Sequence, residues 1–176
     1  MKKQFLIIPA ILFFLLISIF FYLLLIDRDP SNVPSNLINK KVPFFTTDSL
    51  LKSKKFDSSQ EFGKEIILVN FFATWCEPCR AEHKYIKNFS SKKKLRIIGI
   101  NYKDNPEKAA AWLKALGNPY TDIPIDKNGR IAIEWGVYGI PETFVINSDG
   151  IIKYRHVGQI NKKIYKKINL FIENLN

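Results

Sequence analysis

The sequence predicts an α/β domain, a central mixed sheet flanked by helices, carried behind one N-terminal transmembrane helix. Three observations predict it. Apolar runs of strand length alternate with helical stretches, the pattern of strand–helix–strand crossovers around a parallel centre. Two later apolar runs are joined by Ser148-Asp149-Gly150, a turn that reads as a hairpin and adds antiparallel strands at one side. Residues 5–26 carry no charge, and as a helix they would run about 33 Å, close to the roughly 30 Å hydrocarbon core of a bilayer.

The N-terminal span comes first. Residues 1–4 hold Lys2 and Lys3, a basic flank that stays cytoplasmic. Pro9 falls in the first turns of the 5–26 helix, where a proline costs least. A cleaved secretory signal is the competing reading. The apolar run is longer than an ordinary signal core, and bulky Phe21-Tyr22-Leu23-Leu24-Leu25 stands where a peptidase needs small residues, so the span reads as a retained anchor. Asp27-Arg28-Asp29 follows with a net negative charge, which places the rest of the chain outside the cytoplasm. In a bacterium that means a single-pass inner-membrane protein with a periplasmic C-terminal domain, in a compartment that permits disulfides. Residues 27–39, rich in Pro, Ser and Asn, read as a linker. Residues 40–176 suffice for one compact domain with a real core and are too few for two.

Within that domain, Ile66-Ile67-Leu68-Val69-Asn70-Phe71-Phe72 is a continuous apolar run, as expected of a strand covered on both faces. Residues 76–89 read as a helix, with Ala81, Tyr85 and Phe89 at successive i+4 positions. Residues 95–100 form a second buried strand. Asn105 caps the next helix, Pro106 takes its first position and Glu107 its first turn; Ala110, Leu113 and Leu116 follow, and Gly117-Asn118-Pro119 ends it. A short helix is expected over 130–135, hairpin strands over 143–147 and 151–157, and a terminal helix over 161–175 with Ile164, Ile168, Phe171 and Leu175 on one face. The chain shows no internal repeat, and no low-complexity segment beyond the linker.

The formal net charge is +11. Its lysines are scattered, often beside Ile and Asn, and no basic run is interleaved with aromatics as in a single-strand binder. Nucleic acid is therefore not an expected partner. Attraction to anionic lipid headgroups is compatible with the charge.

Trp75-Cys76-Glu77-Pro78-Cys79 holds the only two cysteines of the chain. Two thiols at this spacing, between a strand and a helix start, can close a disulfide with each other and reopen it. The thiolate is the reactive form, and unpaired N–H groups at a helix start favour negative charge. Cys76, first and nearer the surface, is the candidate nucleophile, and Cys79, one turn further in, the resolving thiol. Pro78 stiffens the first turn, where its missing N–H is not needed. Glu77 places a carboxylate beside the reactive sulfur and is expected to hold its pKa up, which makes the pair a milder oxidant than one with a basic residue there. The redox-active Cys76–Cys79 disulfide is the only prosthetic feature expected; no cofactor and no metal is. A static disulfide is the plainer alternative, against which Trp75, the preceding strand and the following helix weigh.

Cys79 and His83 stand at i and i+4, which raises a copper-binding chaperone as a different class. The simpler reading of His83 is a solvated helix residue, and of His156 a structural one. A haem-attachment motif is excluded, because Arg80 follows where His is needed. Gly139-Ile140-Pro141-Glu142-Thr143-Phe144 is a second site: a cis-Pro141 would bring its loop against the dithiol and leave the backbone of Ile140 to pair with an extended substrate. The residues alone leave the isomer open.

The strand–WCxxC–helix segment and the later Ile-Pro resemble the thioredoxin fold. The blocks Ala73-Thr74-Trp75-Cys76, Cys79-Arg80-Ala81-Glu82-His83, Gly99-Ile100-Asn101-Tyr102-Lys103-Asp104, Trp112-Leu113-Lys114, Leu116-Gly117-Asn118-Pro119-Tyr120, Gly136-Val137-Tyr138-Gly139, Pro141-Glu142-Thr143-Phe144, Tyr154-Arg155-His156 and Gly158 are similar to the CcmG/DsbE family of membrane-anchored thiol:disulfide interchange proteins of cytochrome c maturation. The resemblance covers the whole outer domain. It implies a thioredoxin-like fold and a protein that reduces the CxxCH thiols of apocytochrome c, alone or with the haem-attachment machinery; apart from the resemblance, nothing in the sequence demands more than a monomer. The reductant would be re-reduced by a membrane electron carrier of the DsbD/CcdA type. It further implies that Cys76 and Cys79 are the redox pair, that Pro141 is cis and that Glu142 is an acidic residue near the groove. One departure from thioredoxin stands out: Asn70, six positions before Cys76, replaces a buried carboxylate, and Glu82 or Glu142 is left to take its part. The nearest rival activity is a general periplasmic oxidase or isomerase.

Overall fold

The computed structural model describes residues 4–25, 35–91 and 95–175. Helix α1 (Gln4–Leu25) holds no charged residue, and its window Ile8–Leu25, with mean hydropathy 2.8, is long and apolar enough to cross a membrane. Pro9 lies inside it without ending it. The flanking charges Lys2, Lys3 and Asp27 to Asp29, and most of the expected linker, lie outside the described residues.

The second unit holds two sheets. Short strands β1 (Thr46–Thr47) and β2 (Phe56–Asp57) pair antiparallel, and a single-turn helix α2 (Ser58–Glu61) follows, capped by the Asp57 carboxylate. The main sheet contains β3 (Ile67–Phe72), β4 (Arg96–Tyr102), β5 (Ile125–Asp126), β6 (Glu142–Ile146) and β7 (Ile152–Val157), in the order β5-β4-β3-β6-β7. β4 runs parallel to β3 and β5, while β6 runs antiparallel to β3 and β7. The expected parallel centre with a hairpin at one side is thus present.

Helices α3 (Glu77–Ser90), α4 (Pro106–Leu116), α5 (Arg130–Glu134) and α6 (Lys162–Glu173) flank it. Their starts follow side-chain chemistry: the Asn105 side chain accepts from Lys108 N at 2.8 Å, and the Asn161 side chain from Lys163 N at 2.9 Å.

β3 divides the core by its alternation. Leu68 and Phe72 face α3, α4 and α6, where Ile86, Phe89, Trp112 and Ile168 fill one cluster. Ile67, Val69 and Phe71 face the other side, where Phe45, Phe56, Phe62, Trp135 and Phe144 form an aromatic cluster. Burying each such side chain stabilises the fold by about 1.5–3 kcal/mol.

The packed domain begins earlier than the expected boundary at Lys40. Leu37 and Ile38 pack on the aromatic cluster, Asn39 N donates to Ile152 O at 2.8 Å, and Ile152 N donates to Lys40 O at 2.9 Å. The end of the expected 27–39 linker is therefore an edge segment laid along β7. Its Leu37-Ile38 pair is too short to register as an apolar run.

Candidate active site

The dithiol sits where β3 gives way to α3. Cys76 is the N-cap residue of α3, and Cys79 N points at its Sγ from 3.2 Å. Here the two sulfurs are joined at 1.99 Å. In the reduced protein the same N–H would donate to a Cys76 thiolate, reinforced by the positive end of the helix. Pro78 lies in the first turn, as does Glu77, whose side chain is exposed. Cys76 is barely more open than Cys79, at 4% against 2% exposure, so its expected position nearer the surface holds only narrowly in the closed disulfide.

Asp104 fixes the approach to Cys76. Its carboxylate accepts from Thr74 N at 2.6 Å, Thr74 Oγ1 at 2.7 Å, Asn101 Nδ2 at 3.0 Å and Asn105 N at 2.9 Å. The loop before the dithiol is thereby tied to the loop after β4. Trp75 donates its Nε1–H to Lys103 O at 3.1 Å and leaves its ring 59% exposed beside the sulfurs.

From the other side comes the loop that precedes β6. The Ile140–Pro141 peptide is cis, and Ile140 O lies 3.7 Å from Cys76 Sγ. The two sites singled out in the sequence therefore meet.

Glu82 lies one turn beyond Cys79 on the buried face of α3, at 1% exposure. Its Oε1 accepts from Asn70 Nδ2 at 2.8 Å and its Oε2 from Ile160 N at 2.7 Å. Burial raises its pKa to about 8, against the lowering effect of these two hydrogen bonds. Asn70 is the hub of the network: it also donates to Thr143 Oγ1 at 3.1 Å and accepts from Tyr120 OH at 2.8 Å. Burial, and then the Glu82 charge, push the Tyr120 phenol upward. The site thus holds a buried carboxylate, contributed by the helix rather than by the strand.

Glu142 is placed differently from the expectation of an acidic residue near the groove. Successive strand residues face opposite sides, so Glu142 shares a face with Phe144 while Thr143 points at Asn70. The Glu142 carboxylate is fully buried, accepts from Tyr138 N at 2.8 Å and pairs with Arg155 at 2.7 Å. It holds the loop from beneath and does not face the sulfurs.

His83 is likewise not the solvated helix residue the sequence suggests. It is 4% exposed, its Nε2 lies 2.8 Å from Gly117 O and its ring stands edge-on to Trp112 at 4.5 Å. Burial, with help from the nearby Lys87 and Arg80 charges, lowers its pKa, so the ring is neutral near pH 7. Its Nε2 is engaged with a carbonyl, while its Nδ1 is buried without a hydrogen-bond partner among the described residues. His156 is buried too, 3.4 Å from Gln159 O through Nε2.

Four residues of this site, Asp104, Tyr120, Thr143 and Arg155, stand in the blocks that carry the family resemblance but were given no role of their own. One signal points at two of them. A lone Asn inside an apolar strand must find buried partners, and Asn70 finds Tyr120 and Thr143.

Residues 37–169 match the Redoxin family model. The thiol:disulfide interchange protein DsbE of Vibrio cholerae serotype O1 is 42% identical over 170 residues, 95% of this chain and 92% of that protein. DsbE of Escherichia coli K12 is 41% identical over 172 residues, again 95% of this chain and 92% of the relative. Among solved structures, a thioredoxin-family thiol:disulfide interchange protein from Chlorobium tepidum superposes with a TM-score of 0.60 at 25% identity, over 80% of this chain and 99% of that one. A DsbF homologue from Corynebacterium diphtheriae gives 0.68 at 19% identity over 84% and 97% of the two chains, and so shares the thioredoxin-like fold.

Proposed function

The chain belongs to the DsbE family of thiol:disulfide interchange proteins within the Redoxin group, and we propose that its task is to reduce the CxxCH disulfides of apocytochrome c before haem attachment. Thiol:disulfide oxidoreduction is the activity of that family; the direction and the substrate are the proposal. The observation that carries the direction is the charge around the dithiol. A carboxylate stands between the thiols at Glu77, exposed in the first turn of α3, while the Arg80 guanidinium that follows Cys79 lies over the Trp112 ring at 5.9 Å. Carboxylates disfavour a neighbouring thiolate. A pair with little thiolate stabilisation gains less from staying reduced, and so gives its electrons away more readily.

The reaction has two steps. The Cys76 thiolate attacks one sulfur of the substrate disulfide; a Cys76–substrate disulfide forms and the second substrate sulfur leaves as a thiolate. Cys79 then attacks Cys76 Sγ, the Cys76–Cys79 disulfide closes, and the other substrate sulfur leaves. Two electrons pass to the substrate. Glu82, with its pKa raised to about 8, is suited to take the Cys79 proton as that thiol becomes a nucleophile. Glu77 tunes the Cys76 thiol, and the Ile140-Pro141 loop receives the substrate backbone. A membrane carrier of the DsbD/CcdA type would restore the dithiol, from an inner-membrane protein whose α1 is the anchor, N-terminus inside and the dithiol domain in the periplasm.

Replacing Cys79 with Ser and trapping mixed disulfides on Cys76 in cells tests the reading. Apocytochromes and a membrane reductase are the expected captures. A catch that lacks both removes the cytochrome assignment and leaves only the exchange activity.

A further inference from the structure

One buried ion pair holds the loop that carries Ile140. We propose that Arg155, acting through Glu142, is a positioning residue that sets residues 136–140 for backbone docking of an extended cysteine peptide beside Cys76, with Tyr138 as its exposed platform; this rests on the docking of substrate at Ile140 proposed above.

The geometry is specific. The side chains of Arg155 and Glu142 are 4% and 0% exposed. Arg155 stands on β7 opposite Phe144 of β6, so its side chain rises on the same face as Glu142. Its Nη2 donates to Gly136 O at 2.8 Å, and its Nε donates to Glu142 Oε2 at 2.8 Å. The other carboxylate oxygen accepts from Tyr138 N at 2.8 Å. The loop is thus gripped at one carbonyl and one amide, two residues apart, just before the residue whose carbonyl lies 3.7 Å from Cys76 Sγ.

The same guanidinium lies 4.7 Å from the centroid of the Tyr138 ring, which is 70% exposed. A large aromatic kept at the surface yet seated on a buried cation presents its outer face to whatever lies along the loop. Beside it, an added Cβ on Gly139 would meet nothing within 4 Å, so the loop's outer side is open.

Stability alone does not call for this pair. A buried ion pair can often be replaced by apolar residues without loss. An apolar side chain, or a lysine, cannot bond a carbonyl and a carboxylate at once from one plane. The planar fork is what fixes the loop, and loop position is what a docking backbone reads.

The test uses the full chain in detergent with Cys79→Ser, so that reduced Cys76 reacts once. Its thiolate attacks the cysteine sulfur of a thionitrobenzoate mixed disulfide; the Cys76–cysteine bond forms and coloured thionitrobenzoate leaves. Two substrates are compared, free cysteine and an extended peptide with a central cysteine, each carrying thionitrobenzoate. The readout is the ratio of the peptide rate to the free-cysteine rate. With Arg155 in place the ratio is expected at about tenfold or more, the worth of one or two backbone hydrogen bonds. It should fall to near unity in Arg155→Lys, and in the Arg155→Met, Glu142→Gln pair, which removes both charges together and leaves neither unpaired in the core. A ratio retained in either variant overturns the proposal, and so does an equal slowing of both substrates. A ratio near unity with Arg155 present overturns it as well, because nothing then docks on the loop. A Cys76 that reacts with neither substrate is a different failure: it overturns the exchange reading itself, and the positioning role with it.

Discussion

Glu82 carries its proton at a pH where an ordinary carboxyl has lost it, and this has a consequence for stability. Its pKa is raised by burial from 4.5 to about 8 in the folded protein. The folded state therefore holds a proton that the unfolded chain releases between these values. Its contribution is fully present below pH 4.5 and is lost as pH rises through the window to 8, at about 1.4 kcal/mol per pH unit. Glu82→Gln should abolish that slope: the difference in unfolding free energy between variant and wild type, measured in urea from pH 4.5 to 8, should move steadily in favour of the variant. A flat difference would mean that Glu82 is ionised as usual. Glu77, beside Cys76, makes a second test. Glu77→His should shift the equilibrium with glutathione toward the reduced dithiol by about tenfold, the equivalent of one unit of thiol pKa; no shift, or the reverse, contradicts its tuning role. The identity and spacing of Cys76 and Cys79 were readable from the sequence because the chemistry is local. The setting of Glu82 was not, since Ile160 N reaches it from 78 residues away, and neither was that of His83, whose carbonyl partner Gly117 is 34 residues distant.

At the level of elements, the long strands and helices follow from runs and caps that the chain displays openly. β3, β4, α4 and α6 lie within two residues of their expected starts, Asn105 caps where a cap was expected, and Asn161, expected as the first residue of the last helix, is its cap. The two-residue strands β1, β2 and β5 were not foreseen, because pairs such as Thr46-Thr47 have no period to read; their pairing is set by partners far along the chain. The cap of α4 can be tested directly: Asn105→Ala should cost about 1 kcal/mol in urea unfolding. Gly99 of β4 tests the packing beneath the network. A Cβ there would meet the Tyr120 ring at 2.8 Å and Phe72 at 2.9 Å. Gly99→Ala should therefore cost about 1–3 kcal/mol and loosen the Tyr120 hydroxyl from Asn70. A variant as stable as the wild type would show that the ring can move freely.

For the molecule as a whole, the proposed reading gives α1 and the dithiol domain separate tasks: one keeps the protein at a bilayer, the other does the chemistry. The full chain is expected to sediment with membranes and to come off with detergent but not with high salt. Release by salt alone would assign the attachment to the net charge of +11 rather than to α1. On the proposed direction the protein is a donor of electrons, so its resting state in the cell is the most direct measure of the account. Acid-quenching growing cells and alkylating the thiols before separation reports that state. A donor fed by a membrane carrier is predicted to carry free thiols at Cys76 and Cys79, and to become the disulfide when the carrier is removed. A chain that stands as the disulfide in wild-type cells, whether or not the carrier is present, would contradict it.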